Sequence, residues 1–490
     1  MKARHASGGT PLQGRSGGTH WVLALMSALA VLASGCRTKP PPTGAEIRQS
    51  ALPQVVMPQA WKAASTPEGA IQDDWLASFD DAQLTALAKE AVANNPDLRV
   101  AAIRIEQANN YLDLARAALR PAVNIFGTGG FKTGSGEDLT GALQGIMLGV
   151  SWEPDLWGKL RYARNAADEV LAATRYETEF ARQSLAATVA KSWFTATETL
   201  LQGKIAEDTV QAGQALVNIA EQRAEVGAGS GQEVALARAN LGGVQDSLLQ
   251  IQLAQQQALR ALELLLGRYP SAELQARSTL TAPPAPVPAG MPLQMLERRP
   301  DMLAAEHRVA VAFNQVGEAR GARLPKIVLN ASVGALNSDI LQLKQDFTNP
   351  TAGAGARLAI PLYNGGALNA QVDIKKTAQK EAVAQYAGMA LRAIGDVENA
   401  LSAGQNLGKR VEVLEQVVDQ QQRGLELAQD SFRVGKQDLR TVQQQQLTLY
   451  SARIALLRVR SEQLSQRVNL YLALGGSFER SDAATPVAQR

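Results

Sequence analysis

Between Pro121 and Pro154 the spacing of apolar residues falls to two. Ile146, Leu148, Val150 and Trp152 alternate with Met147, Gly149 and Ser151, giving one greasy face and one small or polar face. The second half of the chain repeats the pattern. Ile327, Leu329, Ala331 and Val333 alternate with Val328, Asn330, Ser332 and Gly334, and Ala356, Leu358 and Ile360 alternate with Gly355, Arg357 and Ala359. Each run is about ten residues, the span of a transmembrane barrel strand. Polar stretches, Gly134 to Asp138 and Asn337 to Pro350, join the strands of each pair. Four strands cannot close a barrel, for which about eight is the practical minimum, so strands from several chains are expected to share one.

Elsewhere the pattern is helical. Asn95-Pro96 opens a helix expected to reach about Leu119. No proline interrupts the chain between Pro154 and Pro270, or between Pro361 and Pro486, and both stretches predict long helical hairpins. The first descends from about Lys159 to Glu225, breaks at Gly227 to Gly231 and returns to Gly267; the second descends from about Leu368, turns at Val434 to Asp438 and returns to Leu474. A descending arm of about 67 residues is about 100 Å long at 1.5 Å per residue. Helices of that length need lateral partners. Stripes such as Leu185, Val189 and Ala196, and Val411, Leu414, Val418, Leu425 and Phe432, supply the contact.

The two halves are copies. Asn95-Pro96-Asp97-Leu98 is matched by Arg299-Pro300-Asp301-Met302, and Pro121 is matched by Pro325 at the same offset; Leu262 to Gly267 recurs as Leu470 to Gly475 at an offset only slightly larger. The expected organisation is therefore a signal peptide over 1–35 and a lipid-anchored tether over 36–72. A first repeat over 73–267 carries strands at about 122–133 and 144–154 and a hairpin turn near 227–231. A Pro-rich, non-helical linker over 268–298 forms an equatorial belt. A second repeat over 299–475 carries strands at about 326–337 and 353–362 and a turn near 435–438, and a tail occupies 476–490.

The N-terminal assignment rests on Lys2, Arg4 and Arg15 preceding an apolar run from Trp21 to Leu32, which is short for a membrane span and the right size for a secretory h-region. Leu32-Ala33-Ser34-Gly35-Cys36 resembles a lipobox, with Cys36 the lipidation site, and Arg37 in place of Asp favours the outer membrane by the same resemblance. Lys39-Pro40-Pro41-Pro42-Thr43 should be extended. Asp73-Asp74-Trp75-Leu76, Phe79-Asp80 and Leu84, Leu87, Ala88 and Val92 read as a short docking helix with aromatic anchors.

Composition narrows the chemistry. Cys36 is the only cysteine, which excludes an intrachain disulfide and a thiolate metal cluster. His307 alone remains after signal removal, so neither a zinc site nor a histidine-based triad is expected, and no metal, no cofactor beyond the lipid on Cys36 and no catalytic residue is assigned. The formal charge is +3 with 5% aromatics, and no basic stripe interleaved with aromatics points to nucleic acid. Gly227 to Gly231 follows a helix rather than a strand, so it is a turn and not a phosphate loop. Function must lie in shape and surfaces.

The chain resembles the outer membrane efflux protein family, the TolC-type outer membrane factors, in its lipoprotein branch. The resemblance rests on the lipobox at Cys36, Trp75 with Phe79-Asp80, and Asn95-Pro96-Asp97-Leu98. It continues through Glu153-Pro154-Asp155-Leu156-Trp157-Gly158, Glu297-Arg298-Arg299-Pro300-Asp301 and Pro361-Leu362-Tyr363-Asn364-Gly365-Gly366, in this order on a duplicated frame. It implies a mainly α chain with a small transmembrane β part: two β-hairpins and two long helical hairpins per chain. By the same resemblance a homotrimer would form a 12-strand β-barrel in outer-membrane lipid and a 12-helix periplasmic barrel. The implied role is the passive outer-membrane conduit of a tripartite pump for small molecules, working with a periplasmic adaptor and an inner-membrane transporter of RND type. Arg223, Val226, Gly227 and Ser230 at the first turn, and Arg433, Val434, Gly435 and Lys436 at the second, would meet the adaptor. The family's paired aspartates at the periplasmic aperture fall here on Thr441 and Gln444, a departure that implies a gate held by neutral contacts. Two alternatives stay open at this point: a type I protein-secretion conduit, and a non-channel periplasmic coiled-coil adaptor or scaffold.

Overall fold

The computed structural model describes residues 38–63, 69, 71, 73–128, 144–338, 343–344 and 350–479. The signal peptide, Cys36, the loop from Gly134 to Asp138 and the chain beyond residue 479 lie outside the described residues. The chain divides into two compact units, one drawing on Met1–Pro42, Asn110–Glu169 and Ala310–Lys380, the other on Thr43–Asn109, Val170–Val309 and Glu381–Arg490.

The first unit is built on an antiparallel sheet of β1 (Ala122–Thr128), β2 (Gln144–Trp152), β3 (Lys326–Ser338), the two-residue β4 (Leu343–Lys344) and β5 (Thr351–Ala359). The order is β1-β2-β3-β5, with β4 pairing only the end of β3. Cross-strand partners share a face, and the register sorts them by polarity. Ile125, Leu148, Val333 and Ala352 form one row, whereas Asn124, Gly149, Ser332 and Gly353 form the next. Both apolar residues at the centre of the first row, Leu148 and Val333, are exposed, at 42% and 43%. Among the described residues the outer edges of β1 and β5 pair with nothing. β2 stops at Trp152 and β5 at Ala359, short of the expected 154 and 362, because Pro154 and Pro361 have no N–H to give a ladder.

At the strand ends of this unit the turns are tied by side chains. Trp152 Nε1 donates to Leu119 O at 3.0 Å and Trp157 Nε1 to Pro325 O at 2.6 Å. Asp155 accepts from the backbone N–H of Leu160 and Arg161, capping a helix that opens at Lys159. A Cβ added at Gly317 would lie 2.6 Å from the Tyr162 ring, so only glycine lets that helix seat.

The helices come in matched lengths. After α1 (Gly44–Ala51) and α2 (Ala82–Asn94), α3 (Pro96–Ala117) and α7 (Pro300–Gly321) each have 22 residues. α4 (Lys159–Glu225) and α8 (Ala367–Arg433) each have 67, and α5 (Gly231–Leu265) and α9 (Leu439–Ala473) each have 35. The remaining helix, α6 (Pro292–Arg298), corrects the expectation that the whole Pro-rich linker is non-helical: Pro292 stands at a first-turn position, where its missing N–H costs nothing. The docking segment also differs from the single helix expected. A 3-10 turn, Ala77–Phe79, ends at Asp80 with φ +49°, and Asp81 then caps α2. Thr43, the last residue of the stretch expected to be extended, has φ −70° and ψ 159°, and with Glu46 it forms a reciprocal capping box that starts α1, a helix not expected from the sequence.

The core of the second unit is aromatic where the docking segment meets the hairpins. Trp75 stacks on Tyr471 with centroids 5.7 Å apart, and Phe79 packs on Phe194 at 5.3 Å. Asp81, buried, accepts from Trp193 Nε1 at 3.0 Å and pairs with Arg277 at 3.1 Å. α1 is held by Arg48, which bridges Glu297 at 2.7 Å and Glu306 at 3.4 Å. Burial pushes the Glu306 carboxyl above the usual carboxylate range, partly offset by Arg48.

The duplication extends to the joints. Asn95 Nδ2 donates to Leu265 O, and Arg299 Nη1 donates to Ala473 O, both at 3.0 Å, so in each half the residue before the N1 proline reaches the end of the returning helix. Glycines close all four long arms. Gly227, Gly267, Gly435 and Gly475 have φ between +71° and +74°. The N–H after each bonds back to the preceding turn, as from Ala228 to Arg223 O and Lys436 to Ser431 O, both at 2.8 Å.

Candidate functional site

Two surfaces answer to the expected sites. One lies at the hairpin turns of the helical unit. Val226 and Val434, equivalent residues in the two copies, are 78% and 67% exposed. A Cβ added at Gly227 or Gly435 would meet nothing within 4 Å. Ser230 caps α5 through Glu233 N, and Asp438 caps α9 through Thr441 N at 2.9 Å. Arg433 pairs with Asp430 three residues earlier and stays exposed, and Lys436 is exposed too.

Arg223 is placed differently from its neighbours. Its Nη2 donates to Ala228 O at 3.0 Å and its guanidinium lies over the Phe432 ring, 5.2 Å from the centroid. The side chain therefore joins the first turn to the end of α8 as a cation–π contact. Spacing gave no sign of it, since the two residues come from different copies of the repeat.

Thr441 and Gln444 also part company. The Thr441 hydroxyl donates to Asp438 Oδ1 at 2.7 Å, and this bond, with that of the Thr441 N–H, holds the Asp438 carboxyl below the usual carboxylate range. Gln444 is exposed, and its side chain has no hydrogen bond among the described residues. Two neighbouring glutamines tie α9 to the first hairpin. Gln443, buried, accepts from Asn240 Nδ2 of α5 at 3.2 Å, and Gln446 donates to Thr209 O of α4 at 3.3 Å.

The second surface is the apolar face of the sheet. The exposed row of Ile125, Leu148 and Val333 is flanked by Trp152 and Leu329, themselves a cross-strand pair. No described helix is long and apolar enough to cross a membrane. The exposed apolar face of the sheet is a surface suited to lipid, whereas the opposite face mixes Gly, Ser and Asn with Phe126 and Met147.

Comparison with known proteins places this geometry. The sequence profile described as Outer membrane efflux protein matches residues 87–268 and 291–476, one copy of the repeat each. The probable efflux pump outer membrane protein TtgC of Pseudomonas putida is 30% identical over 454 residues, covering 88% of this chain and 93% of that protein. The pyoverdine export outer membrane protein OpmQ of the same species is 31% identical, covering 92% and 96%. The crystal structure of the outer membrane protein VceC from Vibrio cholerae superposes with a TM-score of 0.75 at 26% identity, over 84% of this chain and all of that one. A doubled profile match, relatives aligned nearly end to end and a shared fold agree with the sheet and the paired hairpins: the chain belongs to the outer membrane efflux protein family, whose members form export channels of the outer membrane.

Proposed function

We propose that three copies of this chain close one twelve-strand barrel in the outer membrane and one helical conduit in the periplasm, through which small molecules pass passively. One observation carries the reading: among the described residues, a sheet with an exposed apolar face and two unpaired edges has too few strands to close on itself. Leu249 and Leu253, one turn apart on α5 and both more than half exposed, add a helix stripe that wants a lateral partner. Light scattering in detergent, after subtraction of the micelle, should give three chain masses. A monodisperse monomer with full helix and strand content would remove the shared barrel.

Within such a trimer the Val-Gly turns are the surface offered to a periplasmic adaptor, and an inner-membrane transporter of RND type supplies the energy. Cys36 carries the lipid anchor. Cys36→Ser should abolish incorporation of labelled palmitate, and equal labelling of the variant would refute the assignment. Partial retention in membranes remains expected, since barrel insertion is a second membrane signal.

The aperture is closed by neutral contacts, with Gln444 facing its copies. Conductance of the parent channel should then show little block by micromolar trivalent cation from the periplasmic side, and Gln444→Asp should install such block by creating a ring of carboxylates. Block of the parent channel at that concentration would count against a neutral gate, with Asp438 the first carboxylate to test.

A further inference from the structure

The residues around the sheet carry a charge excess that the chain as a whole does not. Among the described residues of the sheet-bearing unit, fourteen Lys and Arg stand against seven Asp and Glu, whereas the full chain is nearly balanced at 49 against 46. Part of this excess is neutralised locally. Lys159 and Lys326 converge on Glu153 at 3.2 Å and 2.8 Å, and Arg161 pairs with Asp155 at 3.0 Å.

Two arginines in the matching helix-to-strand turns, one residue out of register with each other, are not neutralised. Arg120 closes the turn from α3 into β1, and Arg323 closes the turn from α7 into β3. Both are exposed, and neither side chain has an ion pair or hydrogen bond among the described residues. An indole lies on each turn: Trp152 bonds Leu119 O beside Arg120, and Trp157 bonds Pro325 O two residues from Arg323. Trp152 ends β2 on the apolar face of the sheet, opposite Leu329, so its hydrogen bond fixes the Arg120 turn at the rim of that face. At the other turn Leu324 and Trp157 are 42% and 46% exposed.

An unpaired guanidinium beside a half-exposed indole, at the border between apolar and polar surface, matches one kind of partner. Tryptophan rings settle at headgroup depth. A guanidinium forms bidentate bonds to phosphate and meets little competition there from water-exposed carboxylates. We propose that Arg120 with Trp152, and Arg323 with Trp157, form two headgroup sites for anionic phospholipid in the leaflet at the helix-joined end of the strands. The proposal rests on the reading that the sheet lies in the outer membrane, and adds that this chain selects the lipid around it by charge.

The test uses the full mature protein in neutral detergent, titrated with phosphatidylglycerol or phosphatidylethanolamine in mixed micelles, with thermal midpoint as readout. Phosphatidylglycerol should raise the midpoint of the parent and phosphatidylethanolamine should not. Arg120→Gln with Arg323→Gln should weaken the apparent affinity for phosphatidylglycerol about thirtyfold, from the attraction per basic residue at an anionic surface. Arg120→Lys with Arg323→Lys, which keeps the charge, should retain most of the effect and shows that the sites tolerate substitution. Arg410→Gln with Arg423→Gln, an equal charge change on exposed positions of α8, should leave the affinity unchanged. Undiminished preference in the Arg120/Arg323 glutamine variant, or an equal loss in the α8 variant, overturns the proposal. Inorganic phosphate that stabilises as well as the lipid does so too. Flotation of the parent with neutral liposomes separates the two levels: a protein that floats but shows no anionic preference refutes the sites alone, and one that does not float refutes the membrane reading with them.

Discussion

Gly267→Ala and Gly475→Ala are expected to lower the thermal midpoint of the detergent-solubilised protein far more than Gly227→Ala and Gly435→Ala. All four glycines hold φ near +70° and end a long helical arm, so each pays a left-handed penalty of about 1 kcal/mol for a side chain. The surroundings separate them. A Cβ at Gly267 would lie 2.9 Å from Asn94 O, and one at Gly475 would lie 3.1 Å from Arg299 Cα. Both obstacles are backbone, so the joint itself must shift, which adds about 1–3 kcal/mol of overpacking. At the two turns the added atom meets open space. Four variants melting together would show that the joints at Asn94 and Arg299 are not tightly held. If the turns are the proposed docking surface, bulky replacements at Gly227 and Gly435 should impair export in cells while the protein still assembles.

Asp81→Ala should be the most damaging single change in the docking segment. The carboxylate caps α2 through Leu84 N, accepts from the buried indole of Trp193 and pairs with Arg277, and its side chain is 1% exposed. Removing it leaves a buried indole N–H and a partly buried guanidinium without their acceptor, at a cost of about 3–5 kcal/mol. Asp81→Asn has one acceptor oxygen in place of two, so it can keep the cap on Leu84 N but loses the indole bond at the other position and the ion pair, and should fall between. The ordering is measured by thermal or denaturant unfolding followed by circular dichroism. An alanine variant within about 1 kcal/mol of the parent would mean that Arg277 and Trp193 find other acceptors.

Much of the fold is legible in the sequence because two periods and a repeat leave few arrangements open. Period-two runs bounded by prolines mark β2, β3 and β5, and proline-free stretches broken by Val-Gly mark the hairpins. The misses share a cause: they depend on partners distant in sequence or on local chemistry hidden by composition. Pro292 looks like a breaker among other prolines, yet at N1 it starts α6. Thr43 and Glu46 carry a capping-box spacing at the end of a Pro-rich tether, where the prolines draw attention first. Arg223 looks like a docking residue until Phe432, more than two hundred residues away in sequence, is found under its guanidinium. The turn residues Val226, Gly227, Val434 and Gly435 are where spacing puts them because a Gly C-cap after a long helix is a local rule.

The equal helix lengths have a consequence for how such a chain can change. Arg223 and Phe432 touch near the ends of two arms of 67 residues each, so the arms are level there. Inserting one heptad into α4 and another into α5 would keep that hairpin's own packing phase but carry its turn about 10 Å past its counterpart. Arg223 would then lose Phe432, and the two Val-Gly turns would no longer present one surface. Length changes in this chain are therefore tolerated only in concert: two insertions in one repeat require two of equal size in the other. Each copy of the repeat thus sets the length of the other, and the duplication serves as its own ruler.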